Sequence, residues 1–406
     1  MKKQLYLNRL LVFASVCFVC PLVASGQDTE TQKTMDIYGF IMMDAGYNLD
    51  QIHPDWFDVV RPTKLPAFEN EYGADGNFYF SVRQTRLGFK NYFQTSLGEL
   101  LTHFEFEMFG TGVDAGQTTI RLRHAYAELG QFGAGQYWSP FMDIDVFPNT
   151  VEYWGPTGMA FFRNVQFRWM PIKGETRLTL ALERPGASAD QGTYAGRVEL
   201  QGVVPKFPFA DFSAEYRRAM DFGYLEIAAI ARRIEWKDQN QDAFDLSGDA
   251  FGWGINLSSN INIGSNDVVR ASALYGEGIQ NYMNDAPVDV GIENNPDDPT
   301  RPVRGVALPV TGLVAFLDHK WSDQLSSAVG FSMIDIENSD GQTDDAFSYG
   351  NYLIANLMYY PAQNVMMGVE YQYGDRSNFR DGYETSITKI QFSFKYNFSQ
   401  SFYKPQ

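Results

Sequence analysis

Beyond residue 20 the chain has no cysteine. Cys17 and Cys20 are its only two, and both lie in the first apolar stretch, so a disulfide framework is excluded for everything after it. Long apolar runs are absent after Val23, which excludes a helical membrane protein. Basic residues are scarce: 32 Lys and Arg stand against 49 Asp and Glu, a formal −17. That balance argues against a nucleic-acid partner. The only histidines are His53, His103, His124 and His319. None has H-E-x-x-H spacing, and no G-x-S-x-G elbow occurs, so neither zinc-hydrolase nor serine-hydrolase chemistry is signalled. Asp238, Asn240, Asp242 and Asp249 fall at calcium-loop offsets, but Ala243 stands where such a loop needs glycine, and strands flank it instead of helices. No cofactor, no metal and no enzymatic activity are expected.

The N-terminus reads as an export signal. Lys2, Lys3 and Arg9 precede the apolar run Leu10 to Val23, which is too short for a comfortable spanning helix and is broken by Pro21. Ala24 and Gly26 then suit cleavage before Gln27, so 1–26 is expected to be a removed signal peptide. Cys20 follows Phe18-Val19, a poor lipidation signal. Without Lys2, Lys3 and Arg9 the mature chain carries 29 basic against 49 acidic residues, a formal −20.

Aromatic residues are plentiful at 15%, and they alternate. Ile390, Phe392, Phe394, Tyr396 and Phe398 share one face of a strand, and Lys389, Gln391, Ser393, Lys395 and Asn397 share the other. Val365, Met367, Val369, Tyr371 and Tyr373 alternate with Gly368, Glu370, Gln372 and Gly374. Phe251, Trp253, Ile255 and Leu257 alternate with Gly252, Gly254, Asn256 and Ser258; Val165, Phe167 and Trp169 with Asn164, Gln166 and Arg168; Leu178, Leu180 and Leu182 with Arg177, Thr179 and Glu183. A soluble sandwich would bury the aromatic face and wet the other. Small and charged residues recur so often on the second face that a barrel in lipid with a wet lumen is the better account. The reading is an all-β, transmembrane antiparallel β-barrel of about 16 strands. Strand starts are expected near Met35, Phe78, Glu99, Thr118, Phe132, Phe162, Glu175, Phe207, Phe222, Ala250, Asp267, Arg304, Leu325, Ser348, Asn364 and Glu384. Residues 27–34 form a short N-terminal segment, 35–398 the barrel and 399–406 a tail.

The links alternate between tight turns, as at Ser322-Asp323, Pro361 to Gln363 and Ala219 to Asp221, and long acidic stretches. Asp238 to Asp249, Asn281 to Arg301 and Asn338 to Asp345 read as solvated external loops. The link Ser139 to Asn164 differs, with Pro140, Pro148 and Pro156, many aromatic residues, and the acids Asp143, Asp145 and Glu152. Such a loop is expected to fold into the lumen as a constriction carrying Asp143, Asp145, Glu152, Tyr153 and Trp154; the alternative is an external loop packed on a neighbouring protomer.

Between Ser81 and Met170 the sequence resembles a known family. Arg83-Gln84-Thr85-Arg86-Leu87-Gly88, the run Gly110 to Thr119, Arg121-Leu122-Arg123-His124-Ala125-Tyr126, Phe132 to Gln136, Trp138 to Asp143, Tyr153-Trp154-Gly155-Pro156 and Phe161-Phe162-Arg163-Asn164 are similar to the DcaP-like outer-membrane porins. The resemblance implies homotrimeric sixteen-stranded channels for small organic anions, notably dicarboxylates, exported to the bacterial outer membrane. Outer-membrane lipid and lipopolysaccharide would surround the barrel. Some members carry an N-terminal coiled coil, for which 27–34 is too short.

Parity then assigns the lumen. If Ile120, Leu122 and Tyr126 face lipid, Arg121 and Arg123 face inward, as do Arg168, Arg177, Arg217, Arg270, Lys389 and Lys395. Arg83, Arg86 and Arg163 are further candidates for contact with solute. Guanidinium groups suit carboxylates because each can engage both oxygens. Glu105, Glu107, Glu183, Asp211, Glu215 and Glu370 also point inward, so these charges could pair across the wall. Dominance of Asp143, Asp145 and Glu152 at the narrowest point would instead favour cations. A phosphate-selective or general porin, or a barrel enzyme or receptor, are the rival readings.

Overall fold

Residues that alternate in the sequence stand on opposite sides of one continuous wall. In the last strand Ile390, Phe392, Phe394 and Tyr396 are 40–50% exposed, whereas Lys389, Gln391 and Ser393 between them are fully buried. The apolar side chains therefore point outward and the polar ones inward, the reverse of a water-soluble core.

The structure, a computed structural model, describes residues 32–186 and 197–404. The expected leader 1–26 and most of 27–34 lie outside these residues. Twenty strand segments are described. They are β1 (Lys33–Asn48), β2 (Asn77–Ser81), β3 (Arg86–Thr95), β4 (Gly98–Phe109), β5 (Thr118–Leu129), β6 (Phe132–Trp138) and β7 (Arg163–Ile172). Next come β8 (Arg177–Glu183), β9 (Val203–Lys206), β10 (Asp211–Met220), β11 (Gly223–Asp238), β12 (Gly248–Ile263) and β13 (Asp267–Glu277). The rest are β14 (Val290–Asn294), β15 (Val303–Ala307), β16 (Pro309–Ser322), β17 (Leu325–Ile336), β18 (Phe347–Ala362), β19 (Val365–Asn378) and β20 (Glu384–Tyr403).

Segments β2 and β3 pair with successive halves of β1, and β9 and β10 with successive parts of β11, so each pair is one interrupted wall strand. β14 and β15 form a separate hairpin. The wall thus has the expected sixteen antiparallel strands, and pairing of β1 with β20 closes it. Closure leaves no sheet edge, and every wall strand finds its hydrogen-bond partners within the barrel. Arg304 was expected to open a wall strand. It lies instead in the hairpin, and the wall resumes at Pro309.

Short turns such as Thr95–Gly98 and Ser322–Leu325 lie at one end of the strands, and the long links join the other ends. Three long links fold inward, where the sequence suggested one. Residues 49–76, 139–162 and 278–290 bring Val60, Leu65, Phe141, Met142, Val146, Ile279, Tyr282 and Met283 against inward wall residues Ile230, Leu274, Val310, Val314, Ile334, Ile336 and Ile354. Asn281, Asn284, Asp285 and Asp289 are buried, which corrects their expected place in an external loop. On β11, β13 and β16–β18 the inward face is partly apolar because these loops cover it. Burying each such aliphatic side chain contributes about 1.5–3 kcal/mol.

One irregularity sets up the site. Between β4 and β5 the register passes from Phe106↔Leu122 to Glu105↔His124, leaving Arg123 as an extra residue. This β-bulge turns Arg123 and His124 both inward and shifts the parity beyond it. Tyr126 consequently faces the lumen, 4% exposed, and not the lipid as simple alternation had suggested. Gln136, on the outer face of β6, donates from Nε2 to the Leu122 and Arg123 carbonyls, 3.1 Å each, and satisfies the backbone that the bulge leaves open.

Candidate functional site

The 139–162 loop leaves β6 and runs along the inside of the wall. Ser139 Oγ donates to Glu183 on β8 at 2.7 Å. Asp143 accepts from Arg217 on β10 at 2.5 Å, and from Tyr224 on β11 and Ser258 on β12, each at 2.7 Å. Asp145 takes the other Arg217 nitrogen at 2.5 Å, and its carbonyl accepts from Asn260 at 2.7 Å and from Arg270. Further on, the Asn149 N–H donates to Asp318 on β16 at 3.3 Å.

The tip of the loop sits on a single carboxylate. Glu370 of β19, fully buried, accepts from Thr150 Oγ1 at 2.7 Å, the Val151 N–H at 3.1 Å and the Glu152 N–H at 3.2 Å. Asn356 and Gln372 donate to the same carboxylate at 2.8 and 2.9 Å. The other inward loops brace this arrangement. Arg61 lies between the rings of Trp56 and Trp154, 4.2 and 4.0 Å from their centroids, and its Nε donates to Asp285 at 3.0 Å. Trp154 Nε1 donates to the Asn284 carbonyl at 3.0 Å.

Pinned along these strands, the loop narrows the lumen against β1, β3–β5, β7 and β20. The wall there is dominated by guanidinium groups. Glu107 on β4 is buried at their centre, with Arg123 at 2.6 Å, Arg86 at 3.3 Å, Arg163 at 3.6 Å and Arg121 at 3.8 Å. Glu105 takes Arg123 at 2.6 Å and Arg86 at 3.8 Å. Two carboxylates thus face four guanidinium groups. Tyr153, stacked on Phe109 at 3.9 Å, donates its hydroxyl to Glu107 and ties the loop to this cluster. Burial, with Glu107 alongside, pushes the Tyr153 hydroxyl upward, so it stays protonated as a donor.

A cavity of about 330 Å³ lies between cluster and loop, lined by Arg86, Arg121, Arg123, Arg163 and Lys395 on one side and by Ile144, Phe147, Glu152, Tyr153, Trp154 and Phe161 on the other. Phe40, Gln84, Thr150 and Asn284 complete it. Glu152 is its one lining acid. Oε1 accepts from the Val60 N–H at 3.1 Å and Oε2 from the Gly155 N–H at 2.5 Å. Burial pushes the Glu152 carboxyl up to about 8, against Lys389 and these backbone donors, which pull the other way. The group is mostly neutral a unit below that pH and mostly negative a unit above it. Raising pH from 7 to 9 is therefore expected to lower the chloride-to-potassium permeability ratio about twofold, the effect of one added charge across a wet lumen. Zero-current potentials measured at both pH values should show the fall, and Glu152→Gln should lessen it.

Four of the sequence-predicted arginines converge: Arg86, Arg121, Arg123 and Arg163. Two do not. Arg83 holds loop 49–76 through Asp58, 2.9 Å from Nε, under the Phe109 ring. Arg168 bonds Gln166 at 2.7 Å and the Trp138 carbonyl. Glu152, Tyr153 and Trp154 line the cavity, whereas Asp143 and Asp145 pair with Arg217 outside it, together with Glu226. Sequence reasoning placed Lys395 in the lumen without assigning it to this site. It missed Phe40, Phe147 and Phe161 there and the role of Glu370 in holding the tip. Asp238 bonds its own loop, accepting from the Asn240 and Leu246 N–H groups at 2.8 Å each. Among the described residues no group of three or more His, Cys, Asp or Glu side chains is placed to hold a metal ion.

A closed sixteen-stranded barrel, apolar outside and charged within, narrowed by a loop pinned across its lumen, defines a porin-type channel. The chain belongs to the DcaP outer membrane protein family, whose model matches residues 25–300, as its motifs led one to expect. It is an outer-membrane channel protein, not an enzyme. Among solved structures, the outer membrane channel DcaP of Acinetobacter baumannii is similar at 18% identity, covering 92% of this chain and 100% of that one with a TM-score of 0.73. An anion-selective porin from Comamonas acidovorans shares 8% identity over 90% of this chain and 100% of its own, TM-score 0.58. OmpT of Vibrio cholerae, in a structure described as its trimer form, shares 11% identity over 90% of this chain and 100% of its own, TM-score 0.54. A comparison with curated protein sequences returned no match.

Proposed function

We propose that this channel passes small organic anions, such as dicarboxylates, in preference to cations. The observation that carries this reading is Glu107: one buried carboxylate with four guanidinium groups within 3.8 Å. With Glu105 included and Lys395 on the same cavity wall, five cations oppose two carboxylates, and burial keeps Glu152 mostly neutral near pH 7. The excess raises the local concentration of anions, and spreading it over several side chains keeps each contact shallow enough for release. A cation-preferring constriction built on Asp143 and Asp145 is disfavoured by their bonds to Arg217. The second inward set of acids also leaves no continuous ladder of cations of the kind a phosphate filter would require.

The working form proposed is a homotrimer in outer-membrane lipid and lipopolysaccharide, exported by a leader removed before Gln27. Support for the trimer comes from the family resemblance and from the OmpT trimer form. Proteoliposomes should take up succinate several times faster than an uncharged or cationic solute of equal size, an expectation from electrostatic focusing. Equal rates for all three would remove the preference.

A further inference from the structure

The cavity has a second chemical face that charge alone does not use. Ile144, Phe147 and Phe161 share its lining with the guanidinium groups, all half-buried, with the two phenyl rings 5.8 Å apart and inclined at 56°. Phe147 is held from behind, since a side chain at Gly155 (φ +82°) would run into its ring. On the cationic face, Arg86, Arg121, Arg123 and Arg163 line the cavity around Glu107. A guanidinium surface and an aromatic surface line one space of about 330 Å³, the lower end of the range for small-molecule sites.

We infer that the constriction favours planar, aromatic-bodied carboxylates over aliphatic anions of the same charge. This rests on the anion-channel reading above and specifies the body of the solute as well as its charge. A carboxylate would meet the guanidinium groups of Arg86 and Arg163 where they line the cavity, each able to engage both of its oxygens. The ring behind it would meet Phe147 and Phe161 in offset or edge-to-face contact, the geometry that aromatic pairs prefer. Guanidinium groups add attraction for a π face that a saturated ring lacks. A short aliphatic dicarboxylate finds the cations but leaves the phenyl groups unused.

The test compares benzoate with cyclohexanecarboxylate, equal in charge and close in size, and with succinate. The full-length protein is reconstituted in planar bilayers, and zero-current potentials are read with each anion opposite chloride. Benzoate is expected to be about threefold to tenfold more permeant than cyclohexanecarboxylate, the range that aromatic pairing gives. Phe147→Leu with Phe161→Leu should bring that ratio close to one. Anion selectivity with benzoate and cyclohexanecarboxylate equally permeant in the unaltered protein would overturn this inference and leave the anion channel standing. Cation selectivity would overturn both. The wild-type comparison needs no variant to fold.

Discussion

Replacing Arg121 and Arg163 together with glutamate is expected to reverse the ion preference of the channel. Around the cavity, Arg86, Arg121, Arg123, Arg163 and Lys395 face Glu105 and Glu107, with Glu152 uncharged near neutrality, a formal +3. Each Arg→Glu change moves this by two, so the double variant stands at −1. Glu107 keeps Arg123 at 2.6 Å and Arg86 at 3.3 Å, so the buried carboxylate is not abandoned. The chloride-to-potassium permeability ratio should fall by roughly tenfold or more, as a potential change of a few kT implies. The change should shrink in high salt, because screening shortens the reach of charges in a wet lumen. Arg121→Gln with Arg163→Gln leaves +1 and should weaken the preference without reversing it. A double glutamate variant that conducts with the original preference would place the selective charges elsewhere.

The second large effect concerns what holds the loop. Glu370→Ala removes the acceptor for Thr150 and for the N–H groups of Val151 and Glu152. Each donor left buried and unsatisfied costs about 1–3 kcal/mol, so the tip should leave its seat. The flanks remain tied by Asn356 to the Asn149 carbonyl at 2.8 Å and by the Thr157 N–H to Ser332 at 2.9 Å. Release is therefore local, and the barrel should still fold. Single-channel recordings are expected to show conductance raised by roughly twofold with frequent flicker, since the constriction sets the resistance. Glu370→Gln keeps one acceptor oxygen and should fall between. Conductance and noise unchanged in Glu370→Ala would mean that the neighbouring ties suffice.

How much of this was legible depended on whether the deciding partner was near in sequence. The barrel was legible because alternation is a local property: Ile390, Phe392 and Phe394 declare their face without reference to any other strand. Arg121 and Arg123 were legible as inward groups because the family motif and parity coincide there. Tyr126 was not, because the bulge at Arg123 is created by pairing with β4 and supported by Gln136 from β6. Asn281, Asn284 and Asp285 read as solvated loop residues because their composition is polar. Their burial depends on Arg61, Trp154 and the carbonyls of distant loops. The fates of Arg83 and Arg168 were fixed in the same way, by Asp58 and by the Trp138 carbonyl. Glu370 carried no motif, since its role is written in the backbone N–H groups of a loop more than 200 positions away.

The central claim, that four arginines around Glu107 give the narrow zone an excess of positive charge, is tested most directly by the zero-current potential of the wild-type protein in a planar bilayer under a KCl gradient near neutral pH. A potential of the sign set by chloride, moving to that of potassium in the Arg121→Glu, Arg163→Glu variant, is the predicted result. A wild-type potential of the sign set by potassium would contradict it.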